Sequence, residues 1–127
     1  MITIDTSALM AIVLGEAAAD ACMRVLETEA ELVISAGTVA EALIVAARRN
    51  VADEMTRLID GLGLDIVSVT PASARRIAAA YGRWGRGAHS AGLNFGDCFS
   101  YELAEQHACP LLYVGDGFSK TDLTGAV

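Results

Sequence analysis

Four acidic residues far apart in the chain, Asp5, Glu41, Asp97 and Asp116, are the side chains best placed to do chemistry. Asp5 closes the apolar run Met1–Ile4, and Asp116 follows the apolar run Leu111–Val114 within Gly115-Asp116-Gly117. If both runs are strands of one parallel sheet, both acids project at its carboxyl edge, where open sheets of this kind hold ligands. Glu41 falls one turn into a helix after the second strand and can lean back toward that edge. Asp97 starts a helix that precedes the last strand. Taken singly, Asp5 and Asp97 also suit helix caps, and Asp116 a turn. Glu41 is harder to explain away. It is the only charge between Ala36 and Ala47, at helical spacing from Ile44 and Val45, and a lone acid among apolar neighbours needs a partner.

Carboxylates gathered without counter-charge raise one another's pKa, and a hard divalent cation relieves the repulsion. His89 and His107 show no ligand spacing, and Cys22, Cys98 and Cys109 are odd in number and scattered. The ion this predicts is therefore Mg²⁺ or Mn²⁺ rather than zinc. The reaction that most often uses such a set is phosphodiester hydrolysis, in which one or two ions activate water and stabilise the leaving oxygen.

Charge bears on the substrate. Sixteen acids against nine bases give a net charge of −7, which argues against a broad basic face for nucleic acid, and no DNA binding by the chain on its own is expected. Any RNA contact is narrow and close to the ion. A second candidate contact is Arg83-Trp84-Gly85-Arg86, where two arginines could hold phosphates while Trp84 stacks a base. The alternative is that Trp84 packs at a helix end or in a dimer contact.

The elements that must position these residues alternate in type. Strands are predicted at Met1–Ile4, Leu32–Ser35, Leu64–Val69 and Leu111–Val114. Helices are predicted from Thr6 or Ser7 to Leu14, Glu16 to Ala30, Thr38 to Arg49, Val51 to Leu62, Pro71 to Arg83 and Phe99 to His107, the fifth launched by Thr70-Pro71. Gly82 to Gly96 carries five glycines and reads as a mobile loop. Strands separated by helices imply a central parallel sheet of four to five strands with helices on both faces, a three-layer α/β/α domain over residues 1–127. No apolar run approaches the roughly 18 residues of a membrane span, and the N-terminus lacks the features of a signal peptide. A cytoplasmic protein with reduced cysteines, complete at its N-terminus, is the expectation.

Three stretches add a resemblance: Ile4–Leu9 (IDTSAL), Leu93–Ala104 (LNFGDCFSYELA) and Pro110–Leu123 (PLLYVGDGFSKTDL). With Glu41 at the interval between the first two, the chain resembles the PIN-domain family, specifically VapC-type toxins. The resemblance implies a Mg²⁺- or Mn²⁺-dependent endoribonuclease that dimerises and is inhibited by a VapB-type antitoxin whose tail reaches the acidic site. It carries core-acid roles to Asp5, Glu41 and Asp97, and a hydroxyl near the metal to Thr6. Many relatives place the fourth acid directly before the Phe of the last motif, where this chain has Gly117, so Asp116 stands in one residue earlier. Asp122 matches the family's ending in a local structural role. The displaced acid motivates an alternative, a catalytically inactive RNA-binding or assembly module. An aspartyl phosphotransfer enzyme is disfavoured because Asp5-Thr6-Ser7-Ala8 lacks a second acid, and a dinucleotide-binding enzyme because no G-x-G-x-x-G follows the first strand.

Overall fold

The computed structural model describes residues 1–127. Strands β1 (Ile2–Ile4), β2 (Leu32–Ser35), β3 (Asp65–Val67) and β4 (Leu111–Leu112) form one sheet in the order β3-β2-β1-β4. All pairings are parallel, with Ile2 opposite Leu32, Ile4 opposite Leu112 and Ile34 opposite Ile66. The chain runs outward from β1 to β2 and β3, then returns to the other side of β1 with β4. The order therefore reverses at β1, and the crevice beyond its carboxyl end is where such sheets bind ligands. Asp5 is the next residue.

Six helices cover the two faces: α1 (Thr6–Val13), α2 (Ala19–Thr28), α3 (Ala36–Arg48), α4 (Ala52–Gly61), α5 (Pro71–Trp84) and α6 (Phe95–His107). Side chains alternate across the strands, so Ile2, Ile4, Leu32, Ile34 and Leu112 pack with Leu9, Met10, Cys22, Leu26, Ala42, Ala46 and Met55 of α1 to α4. On the opposite side Leu111 packs with Ile77, Ala80 and Trp84 of α5, Tyr101 and Ala104 of α6, and Phe118. Each large apolar side chain buried this way stabilises the fold by about 1.5–3 kcal/mol. The sheet edge at β3 stays open to solvent, which accounts for Asp65 within a strand.

Several boundaries differ from those predicted, each for a local reason. Helix α3 begins directly after β2, because Ser35 both ends the strand and caps the helix through its Oγ, which accepts from Gly37 N at 3.2 Å. Helix α6 begins at Phe95, four residues early. Asn94 is its cap, and Asn94 and Asp97 exchange side-chain to backbone hydrogen bonds at 2.8 and 2.9 Å. Asp97 is thus the third residue of the helix rather than its opener. Strand β4 stops at Leu112 because Val114 N donates to Ser7 Oγ instead of continuing a ladder. Helix α2 starts only at Ala19, since Gly15 (φ 63°) and a bond from Glu16 N to Ala11 O form a separate turn. The glycine-rich stretch is not a free loop: Leu93 N donates to Trp84 O and Arg86 N to Leu93 O, both at 3.0 Å.

Candidate active site

The residues that end β1 and open α1 build the floor of the site. Asp5 caps α1 and is 3% exposed. Its Oδ2 accepts from Ser7 N at 3.0 Å and Ser7 Oγ at 2.6 Å, and its Oδ1 accepts from Ser100 Oγ at 2.5 Å. Ser7 Oγ in turn accepts from Val114 N, so the backbone leaving β4 is coupled to the Asp5 carboxylate through one hydroxyl. Ser100 lies on α6, one turn after Asp97, and ties Asp5 to the helix that carries Asp97.

Glu41 projects from α3 into the same region. Thr6 Oγ1 donates to Glu41 Oε1 at 2.6 Å, and a Cβ built on Gly96 would overlap the Glu41 carboxylate. Glycine at 96 is therefore what lets α6 approach the acid. Burial raises the pKa of Glu41 most; the Thr6 bond opposes this and the Asp5 charge adds to it. The Asp97 carboxyl is pushed up to about 6, first by burial, then by the charges of Asp5 and Glu41, against the Asn94 backbone bond and the Arg86 charge. The three acids are thus electrostatically one group. None forms an ion pair, since the ion pairs of the molecule are Met1 with Glu29, Arg57 with Glu54, Arg76 with Glu102 and Arg83 with Asp122.

The structure places two of the candidate residues away from this group. Asp116 does not join this group. It is exposed on the turn after β4, its backbone oxygen accepts from Ser119, and it contributes nothing to the raised pKa values of Glu41 and Asp97. A side chain at Gly117 would instead face the Ala91 carbonyl at 3.2 Å and Leu93 at 3.6 Å. Trp84 is not open to a base either. It is 8% exposed, edge-on to His89 at 4.7 Å and capped by the Arg83 guanidinium at 4.5 Å, because it ends α5 against Tyr101 of α6. Arg83 also pairs with Asp122 at 3.7 Å, leaving Arg86 as the exposed arginine whose charge acts on Asp97. Ser7, Ser100 and Asn94 escape a reading of acids alone. Only Asn94, three residues before Asp97, carries a sequence signal, that of a capping box.

The donor set suits a hard divalent cation: three carboxylates, no soft or imidazole ligand, hydroxyls rather than cations as neighbours. Each carboxylate oxygen that accepts one hydrogen bond retains a second lone pair. No three His, Cys, Asp or Glu side chains stand in ligating geometry. Asp5 is held by Ser7 and Ser100 and Glu41 by Thr6, and their like charges oppose closer approach.

Residues 2–123 match the family model described as PIN domain. Ribonuclease VapC42 of Mycobacterium tuberculosis is 39% identical over 127 residues, covering 97% of both chains. Ribonuclease VapC36 of the same organism is 42% identical over 124 residues, covering 94% of this chain and 89% of that one. Among solved structures, M. tuberculosis VapC20, described as a sarcin-ricin loop cleaving toxin, superposes with a TM-score of 0.80 at 16% identity over 98% of this chain and 97% of that one. A toxin-antitoxin complex from Klebsiella pneumoniae gives 0.73 at 18% identity over 100% and 98%.

Proposed function

This chain belongs to the PIN-domain family, and from that premise we propose that it is a divalent-metal-dependent endoribonuclease, the toxin of a toxin–antitoxin pair. One observation carries the metal dependence: Asp5, Glu41 and Asp97 act on one another electrostatically beyond β1, and none of them forms an ion pair. Asp5, Glu41 and Asp97 would hold Mg²⁺ or Mn²⁺. When bound, such an ion lowers the pKa of water and neutralises charge on the scissile phosphate.

The chain's own residues do the positioning. Ser7 and Ser100 fix both oxygens of Asp5, and Thr6 fixes Glu41, so two acids are oriented before substrate arrives. Asp97, held to the start of α6 by the Asn94 backbone, forms the outer wall. Arg86, exposed and close enough for its charge to act on Asp97, would meet the phosphate. Water attacks phosphorus in line, the bond to the 3′ oxygen breaks, and the products carry a 5′-phosphate and a 3′-hydroxyl.

The same reading includes a cytoplasmic protein, a homodimer, and a VapB-type antitoxin whose tail enters the acidic pocket. No helix is long and apolar enough to cross a membrane. Exposed Leu43 and Ile44 on α3 and Tyr81 on α5 supply apolar surface for protein contacts. One observation favours the reading as an inert module, namely that Asp116 stays outside the acid group. Cleavage of single-stranded RNA with Mg²⁺ or Mn²⁺, and its loss in EDTA and in Asp5→Asn, decides for the enzyme. Metal-independent binding without cleavage decides for the module.

A further inference from the structure

Phe95 is the anomaly of the surface. It is 70% exposed, although it opens α6 two residues before Asp97. Its ring meets Phe99 edge-to-face, with centroids 4.9 Å apart and planes at 88°. That arrangement braces the ring and leaves a face to solvent. Beside it runs a groove of about 330 Å³ floored by Phe99 and Ile44 and bounded by Glu41. Two glycines create this groove. A Cβ on Gly37 would overlap the Phe99 ring, and one on Gly96 would overlap the Glu41 carboxylate. The open aromatic face and the Glu41 carboxylate are therefore parts of one surface.

With a net charge of −7, this protein gains little affinity for RNA from its overall charge, so uncharged contacts close to the acids have to add to what Arg86 supplies. An aromatic face offers one, because every base has a π-face to stack on it. We propose that Phe95 is a stacking platform for the nucleobase flanking the scissile phosphate, with Phe99 as its brace, which makes the substrate RNA with unpaired, splayed bases. This rests on the nuclease reading and deepens it. Paired bases cannot reach the ring, because duplex RNA buries their faces in its own stack. The groove thus recognises a base where the sequence pointed to Trp84, whose ring is buried.

The test uses a short single-stranded RNA carrying 2-aminopurine, the full-length protein, and Phe95→Ala and Phe95→Trp. With the non-cleaving Asp97→Asn protein, stacking quenches the probe; adding Phe95→Ala removes the quenching and weakens binding roughly five- to hundred-fold, whereas Phe95→Trp keeps both. In the cleaving protein, Phe95→Ala raises KM more than it lowers kcat, with an unchanged Tm. Absent quenching, a Phe95→Ala protein with unaltered RNA binding and KM, or equal cleavage of the same sequence in duplex form overturns the platform. The second of these outcomes leaves the ring as a protein-docking anchor. If the wild type cuts no RNA while quenching still depends on Phe95, the nuclease reading falls and the platform stands.

Discussion

Thr6 Oγ1 donates to Glu41 Oε1 across 2.6 Å, joining the first residue of α1 to a residue of α3 that lies 35 positions further along the chain. This bond is the only hydrogen bond made by the Glu41 carboxylate, so it decides where that acid points. Thr6→Val keeps the shape of the side chain and removes the donor. The expected result is a 10- to 100-fold loss of Mn²⁺ affinity, in the range typical of groups that orient a ligand, with the fold retained. Calorimetric titration with Mn²⁺ measures it.

Gly96→Ala places a methyl group where the Glu41 carboxylate lies. Alanine suits the start of a helix, so the expected effect is on the acid and not on α6. Cleavage falls at least about tenfold while Tm changes by little, since surface-level backbone cost is within about 0.5 kcal/mol. A fully active Gly96→Ala protein means Glu41 is free to move aside without consequence.

Asp97 carries the pH dependence. Its folded-state pKa, about 6, lies above the ordinary aspartate value of 3.8. A raised folded pKa means that the folded state binds the extra proton, so this group's contribution to stability is complete below the unfolded pKa and is lost as pH rises to about 6. Metal-free protein should therefore be less stable at pH 7.5 than Asp97→Asn, which retains an oxygen for the Asn94 bond. Mg²⁺ reverses that order by favouring the ionised form. Thermal unfolding of both proteins at pH 4.5 and 7.5, with and without Mg²⁺, gives the comparison.

Trp84 and Arg86 separate packing from substrate contact. Trp84→Ala empties a buried site and is expected to cost about 3–5 kcal/mol of stability. Arg86→Ala removes an exposed charge that acts on Asp97, leaves Tm unchanged, and lowers RNA affinity with a weaker salt dependence. Denaturant unfolding and RNA binding at two salt concentrations distinguish the two roles.

The fold was largely legible because its signals are local. Apolar runs at residues 2–4, 32–35 and 111–112, separated by helical patterns and punctuated by Thr70-Pro71 and Asn50, lead to a parallel sheet by simple periodicity. Boundaries were less legible wherever a side chain competes with the backbone. Ser7 ends β4 from 107 residues away, and Asn94 starts α6 before the apolar pattern does. The choice of Mg²⁺ or Mn²⁺ likewise came from residue types alone.

What the amino-acid order determined by itself is Asp5, Glu41 and Asp97 as the candidate acids, their approach to the sheet's carboxyl edge, and a strongly negative overall charge, because strand direction and composition need no knowledge of packing. What only the tertiary structure decided is membership of the site. The early end of β4 leaves Asp116 in solvent, α5 packing on α6 buries Trp84, and two glycines bring α3 and α6 close enough to set Phe95 beside Glu41. Those outcomes depend on distances between segments far apart in the chain, and a linear pattern carries no information about which of two exposed-looking aromatic rings the core will claim.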